Sequence, residues 1–203
     1  MIAGAVDFMR LLAKRPVGLA GLIGVLAFVF MAYVLPFFIP LQNTPDILHV
    51  YNTPSPAHPL GTDFQGRDIL NQIVYGGADI LTVGFLAAAF STVLAVSFGG
   101  IAATVGGRAD TIILAITDVA LTIPQLILLI VVAAIVRPSG FLVLAVILAL
   151  LQWPGLLRQV RAQVLSLKER DYVEAARSLD LGLFHIIFRE MLPNMRSYIV
   201  IHF

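Results

Sequence analysis

Long apolar runs limit this chain to very few folds. A helix needs about 20 apolar residues to cross a hydrocarbon core. Four blocks meet or approach that length: Val17–Phe38, about Ile80–Val105, Thr111–Val136 and about Phe141–Leu157. The last is short and invites Trp153 as an interfacial anchor. A fifth block, "YIVIHF", begins at Tyr198 and stops with the chain. Helix backbone left unpaired in lipid is costly, so an incomplete C-terminus with missing spans is expected. Charged residues make up 12% of the chain and hydrophobic ones 59%, against about 25% charged in soluble domains. Mean hydropathy is +0.94. The expected fold is all-α, a polytopic transmembrane helical bundle, with residues 1–203 as one membrane domain and the start of a fifth span at 193–203. A signal peptide is not expected, because the first block exceeds an h-region of about 7–15 residues.

Arginine and lysine give the orientation. Arg10, Lys14 and Arg15 precede the first block, Arg108 lies between the second and third, and seven cations from Arg158 to Arg196 follow the fourth. Only Arg67 and Arg137 fall on the other side. The positive-inside rule places the N-terminus and residues 158–196 in the cytoplasm and a loop over 39–77 outside.

Few residues suggest chemistry. The chain has no cysteine, so thiolate metal sites and Cys nucleophiles are excluded. The histidines at 49, 58, 185 and 202 lack zinc-site spacing, and no metal site or Ser/His/Asp set emerges. "GTDFQGRD" (61–68) has the glycine spacing of a phosphate loop but lacks the Lys-Ser/Thr pair that such loops need. It reads instead as a tight turn into a short interfacial helix, with Asp68 near the helix N-terminus. Asp118 is the one acid inside a block, where a carboxylate is expensive in lipid. Structural pairing and a role in a pathway or gate are both open for it. Thr122 and Gln125 add polar groups nearby, and Pro124 can bend the span. Small residues recur every fourth position at Ala87, Ser91, Ala95, Gly99, Ala103 and Gly107, a pattern that permits close helix approach in lipid. Such a row drifts about 40° per step and is not expected to face one partner throughout.

Residues 158–192 break the apolar theme. "QVRAQVLSLKERDYVEAARSL" carries a helical period through Val160, Val164, Leu167, Tyr172, Ala175, Ala176 and Leu179. "GLFHIIFREML" reads as a second amphipathic helix, with Gly182 as the break between the two and Pro193 starting the next span. Ala175 and Ala176 would let another protein come close, and Glu174 offers a carboxylate to a basic partner. A plain connector needs only a few residues, so the length of the block favours a docking element.

Several separated motifs share one resemblance. "YVEAARSLDLGLFHIIFREMLPN" resembles the EAA loop of the inner-membrane permease subunits of ABC importers. "HPLGTDFQGRDILNQIVYGGADIL" and the first span are similar to the dipeptide/oligopeptide/nickel branch. The likeness covers nearly the whole chain. It departs at Asp180, where the family has the loop glycine; Gly182 is then the alternative turn position. The resemblance implies a multi-pass cell-membrane subunit without catalytic residues, pairing with a second homologous permease. ATPase subunits would bind ATP and Mg, and an extracytoplasmic binding protein would deliver substrate. Coupling to the ATPase would run through Glu174, Ala175 and Ala176, with Tyr172 and Leu179 as groove contacts and Gly182 at the turn. Substrates implied are peptides, with nickel or oligosaccharides as branch alternatives. An ATP-independent carrier and a non-transporting scaffold are the rival functions. A carrier predicts coupling-ion acids deep in the spans, and only Asp118 qualifies.

Overall fold

The computed structural model describes residues 15–40, 44–136 and 140–203. Arg10, Lys14 and Arg137 lie outside the described residues. Among those described, regular structure is helical apart from one isolated bridge between Thr62 and Asp68. Two compact units divide at Thr82 and Val83.

In the first unit, α1 spans Pro16–Tyr33. Pro16 sits where its missing N–H costs nothing, and a 3-10 turn over Leu35–Phe37 follows at Pro36. The second long helix, α2, runs Ile69–Val105. Its first turns pack on α1: a methyl group at Gly77 would meet Ala32 at 3.3 Å. Tyr33 Oη also pairs with Thr82 Oγ1 at 2.8 Å. Tyr75 Oη donates to the Ile39 carbonyl at 2.6 Å.

The loop over 44–68 is held by its acids. Asp63 accepts from the backbone N–H groups of Gln65 and Arg67 and from the Gln72 amide. His49 and the Leu48 N–H hold the Asp46 carboxyl below its usual range. Gly66 has φ +74° and lies against the Asp46 backbone, where any side chain would collide. Asp68 caps α2 by accepting from the Asn71 N–H at 2.8 Å. The turn of "GTDFQGRD" therefore opens into a 37-residue helix, not a short interfacial one.

In the second unit, α2 continues to Val105 and turns at Gly106 into α3, Gly107–Thr122. α4 follows over Gln125–Val136. The apolar block at 111–136 is thus two helices, bent by 82°. Pro124 is the cause: it forces Ile123 into extended geometry, φ −89° and ψ 125°, and ends the helix there. The sequence suggests a bend at Pro124; the chain takes a full break.

α5 runs Phe141–Lys168, eleven residues past the apolar block, and carries Pro154 inside it. The short helix α6 covers Asp171–Ser178. One turn at Leu183–His185 then leads into a π segment, Ile186–Met191, and on into α7, Leu192–His202. By length and composition α1, α2 and α5 can each cross a membrane, and the bent α3–α4 pair counts as a fourth span if taken together.

The long polar block is divided differently from its period. The expected single helix over 159–179 stops at Lys168 and restarts at Asp171. Nor does Pro193 begin a separate element. An α-helical turn would press the proline ring onto the Arg189 carbonyl. The wider π turn relieves this, with the Leu192 N–H reaching back to the Ile187 carbonyl, so the helix continues through Pro193.

The small-residue row packs better than its drift suggests. Ala87, Ser91, Ala95, Gly99 and Ala103 are all buried. Ala87 shares a cluster with Ala145 of α5. Gly99 lies on α5 at Leu157–Arg161, and the Ala103 carbonyl accepts from Lys168 at the end of α5 at 3.1 Å. Ala87, Ala95, Gly99 and Ala103 of the row therefore stay with one helix. A line of i+4 steps runs oblique to its axis, and a partner crossing obliquely can stay with it. Gly107 is exposed and begins α3.

Candidate functional site

The polar segment around α6 holds the strongest candidate residues. Eight residues are too few for a stable isolated helix, so α6 depends on what it lies against. Val173 and Ala176, one turn apart, are 0% and 4% exposed. They join a cluster with Leu157, Val160 and Val164 of α5 and Ala95, Val96 and Ala103 of α2. Ile186, Met191 and Met195 from the π segment and α7 complete it. Asp171 and Glu174 occupy the first turn and Arg177 the last, the arrangement that the helix dipole favours. The inner face of α6 is thus seated on a cluster built by α2, α5, the π segment and α7, while its outer face, with Glu174, Ala175, Arg177 and Ser178, is exposed.

The six residues singled out for coupling divide between these faces. Glu174 and Ala175 are exposed, and Ala176 is buried beneath them. Leu179 follows α6 and is 73% exposed, high for a leucine next to a packed cluster. Tyr172 turns inward: its ring packs on the cluster, and its hydroxyl is buried with no partner among the described residues. A buried hydroxyl without a partner is destabilising. Tyr172→Phe is therefore expected to keep or raise stability by up to ~1 kcal/mol, read as the melting temperature in detergent.

Gly182 does not supply the turn. Its φ is −59°, ordinary for any residue, and Asp180 takes the left-handed position at φ +54°. The Asp180 N–H donates to the Arg177 carbonyl at 2.9 Å and the Leu181 N–H to the Ala176 carbonyl at 3.1 Å. Leu181 closes the motif by packing on the cluster. This is a Schellman C-cap with aspartate at the glycine position. Asp tolerates the left-handed region better than most residues, but glycine does so at no steric cost. Asp180→Gly is expected to stabilise the protein by about 1 kcal/mol, seen as a raised denaturation midpoint.

Around this core, charged side chains tie the helices together. Arg161 of α5 grips Asp110 of α3 with two parallel bonds of 2.6 Å. Such a bidentate pair fixes geometry as well as charge. Lys168 donates to the Ala103 carbonyl at the last turn of α2, where a cation satisfies unpaired acceptors. Arg158 pairs with Asp118 on a half-exposed face, so this acid is matched to a base. Thr122 Oγ1 donates back to the Val119 carbonyl at 2.7 Å, closing the end of α3.

Gln125 donates to the Leu151 carbonyl at 2.9 Å. The bond joins the start of α4 to the turn of α5 that precedes Pro154. Asp118, Thr122 and Gln125 thus do not meet at one point. Asp118 and Gln125 join α3 and α4 to α5, and Thr122 closes the end of α3. Trp153 packs near Phe98 of α2 with ring centroids 6.0 Å apart.

The partners Arg161, Arg158, Lys168 and Leu151 are not legible from local spacing, since each lies 26 to 65 residues from what it binds. Their one sequence signal is a charge or amide placed at the edge of an apolar block. No group of three His, Asp or Glu suited to a metal occurs among the described residues.

Residues 95–203 match the family model described as "binding-protein-dependent transport system inner membrane component". A relative in Brucella abortus named as a peptide permease is 36% identical over 90% of this chain and 60% of its own length. The dipeptide transport system permease of Bacillus subtilis is 35% identical over 96% of this chain and 61% of its own. The glutathione transport system permease of Pectobacterium atrosepticum is 33% identical over 97% and 66%. The chain therefore spans about 60% of the length of the Brucella and Bacillus relatives.

Proposed function

Because the chain belongs to the family of binding-protein-dependent transport system inner membrane components, we propose that it forms part of the membrane-spanning subunit of an ATP-driven peptide importer. In this reading α6 is the element through which a cytoplasmic ATPase moves the membrane helices. One observation carries it: α6 exposes a charged outer face while Val173 and Ala176 rest on a cluster shared by α2, α5 and α7. A push or pull on the outer face is then delivered to all three helices together.

The parts follow from that role. Glu174, Ala175 and Leu179 meet a groove on the ATPase subunit, where Ala175 permits close approach. Ala176 and Tyr172 are the base of the helix, and the aspartate cap at 180 fixes where the helix ends. ATP and Mg are held by the ATPase, and this chain has no catalytic role. ATP-driven closure of the ATPase pair biases a two-state membrane assembly between outward- and inward-facing forms. A second, homologous permease completes the path, and a binding protein delivers substrate at the external loop over 39–77. The N-terminus and residues 158–192 lie in the cytoplasm of a bacterial or archaeal cell. The relatives named for dipeptide and glutathione transport support a peptide-type substrate over nickel or oligosaccharides.

The test is uptake in membranes containing the whole assembly, with labelled trialanine as probe. Uptake that needs ATP and ignores proton and sodium ionophores is expected. Ionophore-sensitive uptake without ATP would mean a secondary carrier.

A further inference from the structure

A polar cavity of about 360 Å³ opens in the second unit between α2, the α3–α4 break, α5 and the end of α7. Its polar lining is Ser91, Thr92, Gln125, Gln152, Gln159 and His202, with no Asp, Glu, Lys or Arg. Gln152 and Gln159 are two turns apart on one face of α5, with Gly155 between them leaving space. About 20 residues of α5 counted from Phe141 fill the hydrocarbon depth, so Gln152 falls within its inner half and Gln159 at its cytoplasmic edge. Among the described residues neither side-chain amide has a hydrogen-bond partner, whereas Gln125 gives one amide hydrogen to Leu151. Amides facing hydrocarbon would be left unpaired at high cost. This face therefore meets water or another polar group.

We propose that this cavity is a stretch of the substrate path that binds the peptide backbone through the amides of Gln152 and Gln159. The proposal rests on the importer reading above and names what the path recognises. A primary amide offers two donors and an acceptor, the complement of a backbone N–H and C=O. The acids and bases nearest in sequence to this face are committed elsewhere: Arg158 to Asp118 and Arg161 to Asp110. A lining of this kind accepts peptides of varied side chain, because it reads the part they share. It offers no carboxylate to a free metal cation.

The chain has no native cysteine, which permits a direct test in the whole assembly. Gln152→Cys and Gln159→Cys are labelled in membranes with a water-soluble methanethiosulfonate reagent, read on this subunit, with and without trialanine. Leu150→Cys, on an exposed apolar position of α5, is the lipid-facing control. Both glutamine positions are expected to label at least tenfold faster than the control and to be slowed at least threefold by trialanine. The Gln152→Leu/Gln159→Leu double variant should lose at least tenfold in trialanine uptake while still retaining the ATPase. Unreactive cysteines would overturn the proposal, whatever the assembly transports. So would reactive cysteines that trialanine does not protect, or a double variant with unchanged uptake. Failure of the importer reading shows separately, as wild-type membranes that bind no ATPase.

Discussion

Glu174→Arg is expected to remove the ATPase from the purified membrane assembly and to lower ATP-dependent uptake by at least tenfold. A tenfold loss in affinity corresponds to about 1.4 kcal/mol. Placing a cation where a basic partner expects a carboxylate adds repulsion to the lost contact, so the loss should exceed that of Glu174→Ala. The residue is exposed on the outer face of α6, and its carboxylate has no hydrogen-bond or ion-pair partner among the described residues. Expression, membrane insertion and melting temperature should therefore match wild type. That separation makes the experiment informative: a variant that also failed to fold would point to a structural role, which the position of Glu174 argues against.

Gly99→Leu should produce the opposite pattern, a large loss of stability at a site far from the outer face of α6. A methyl group at Gly99 would already stand 3.1 Å from the Leu157 carbonyl and 3.3 Å from Val160. The rest of a leucine has nowhere to go unless α2 and α5 separate. In lipid there is little hydrophobic drive to hold helices together, so close packing carries the association. Overpacking of this kind costs roughly 1–3 kcal/mol and sometimes more. The melting temperature in detergent should fall clearly. Gly84→Leu, on the same helix, is the control, since Gly84 is exposed and a methyl group there meets nothing within 4 Å. If both variants melted alike, the α2–α5 seam would not be the contact that supports α6.

The apolar blocks and their helical class were legible in the sequence because spanning a bilayer leaves so few solutions. Block length did not give helix length. α2 begins at Ile69 and α5 runs to Lys168, since amphipathic turns can extend a span once a neighbour covers one face. Pro124 was visible as a disturbance, but its strength was not, because a kink and a break share the same residue. The polar segment illustrates the division most clearly. Its helical period was readable, and Glu174 and Ala175 do lie on an open face. The inward turn of Tyr172, the burial of Ala176 and the cap at Asp180 depend on α5 and the π segment, which no local pattern encodes. Glycine preference pointed to Gly182 for the turn; the hydrogen bonds to Ala176 and Arg177 selected Asp180. Ion pairs such as Asp110–Arg161 were out of reach for the same reason, since spacing along the chain says nothing about partners 51 residues apart.

The central claim is that the outer face of α6 touches the ATPase. It is tested most directly by cross-linking from a single cysteine at Ala175, in a chain that has none of its own. Ala175→Cys carrying a short photoreactive probe should give an adduct with the ATPase subunit in intact membranes. Ile116→Cys, on the exposed apolar side of α3, should give none. An Ala175 adduct whose yield changes with ATP is the predicted result. No ATPase adduct from Ala175, or equal adducts from both positions, would contradict it.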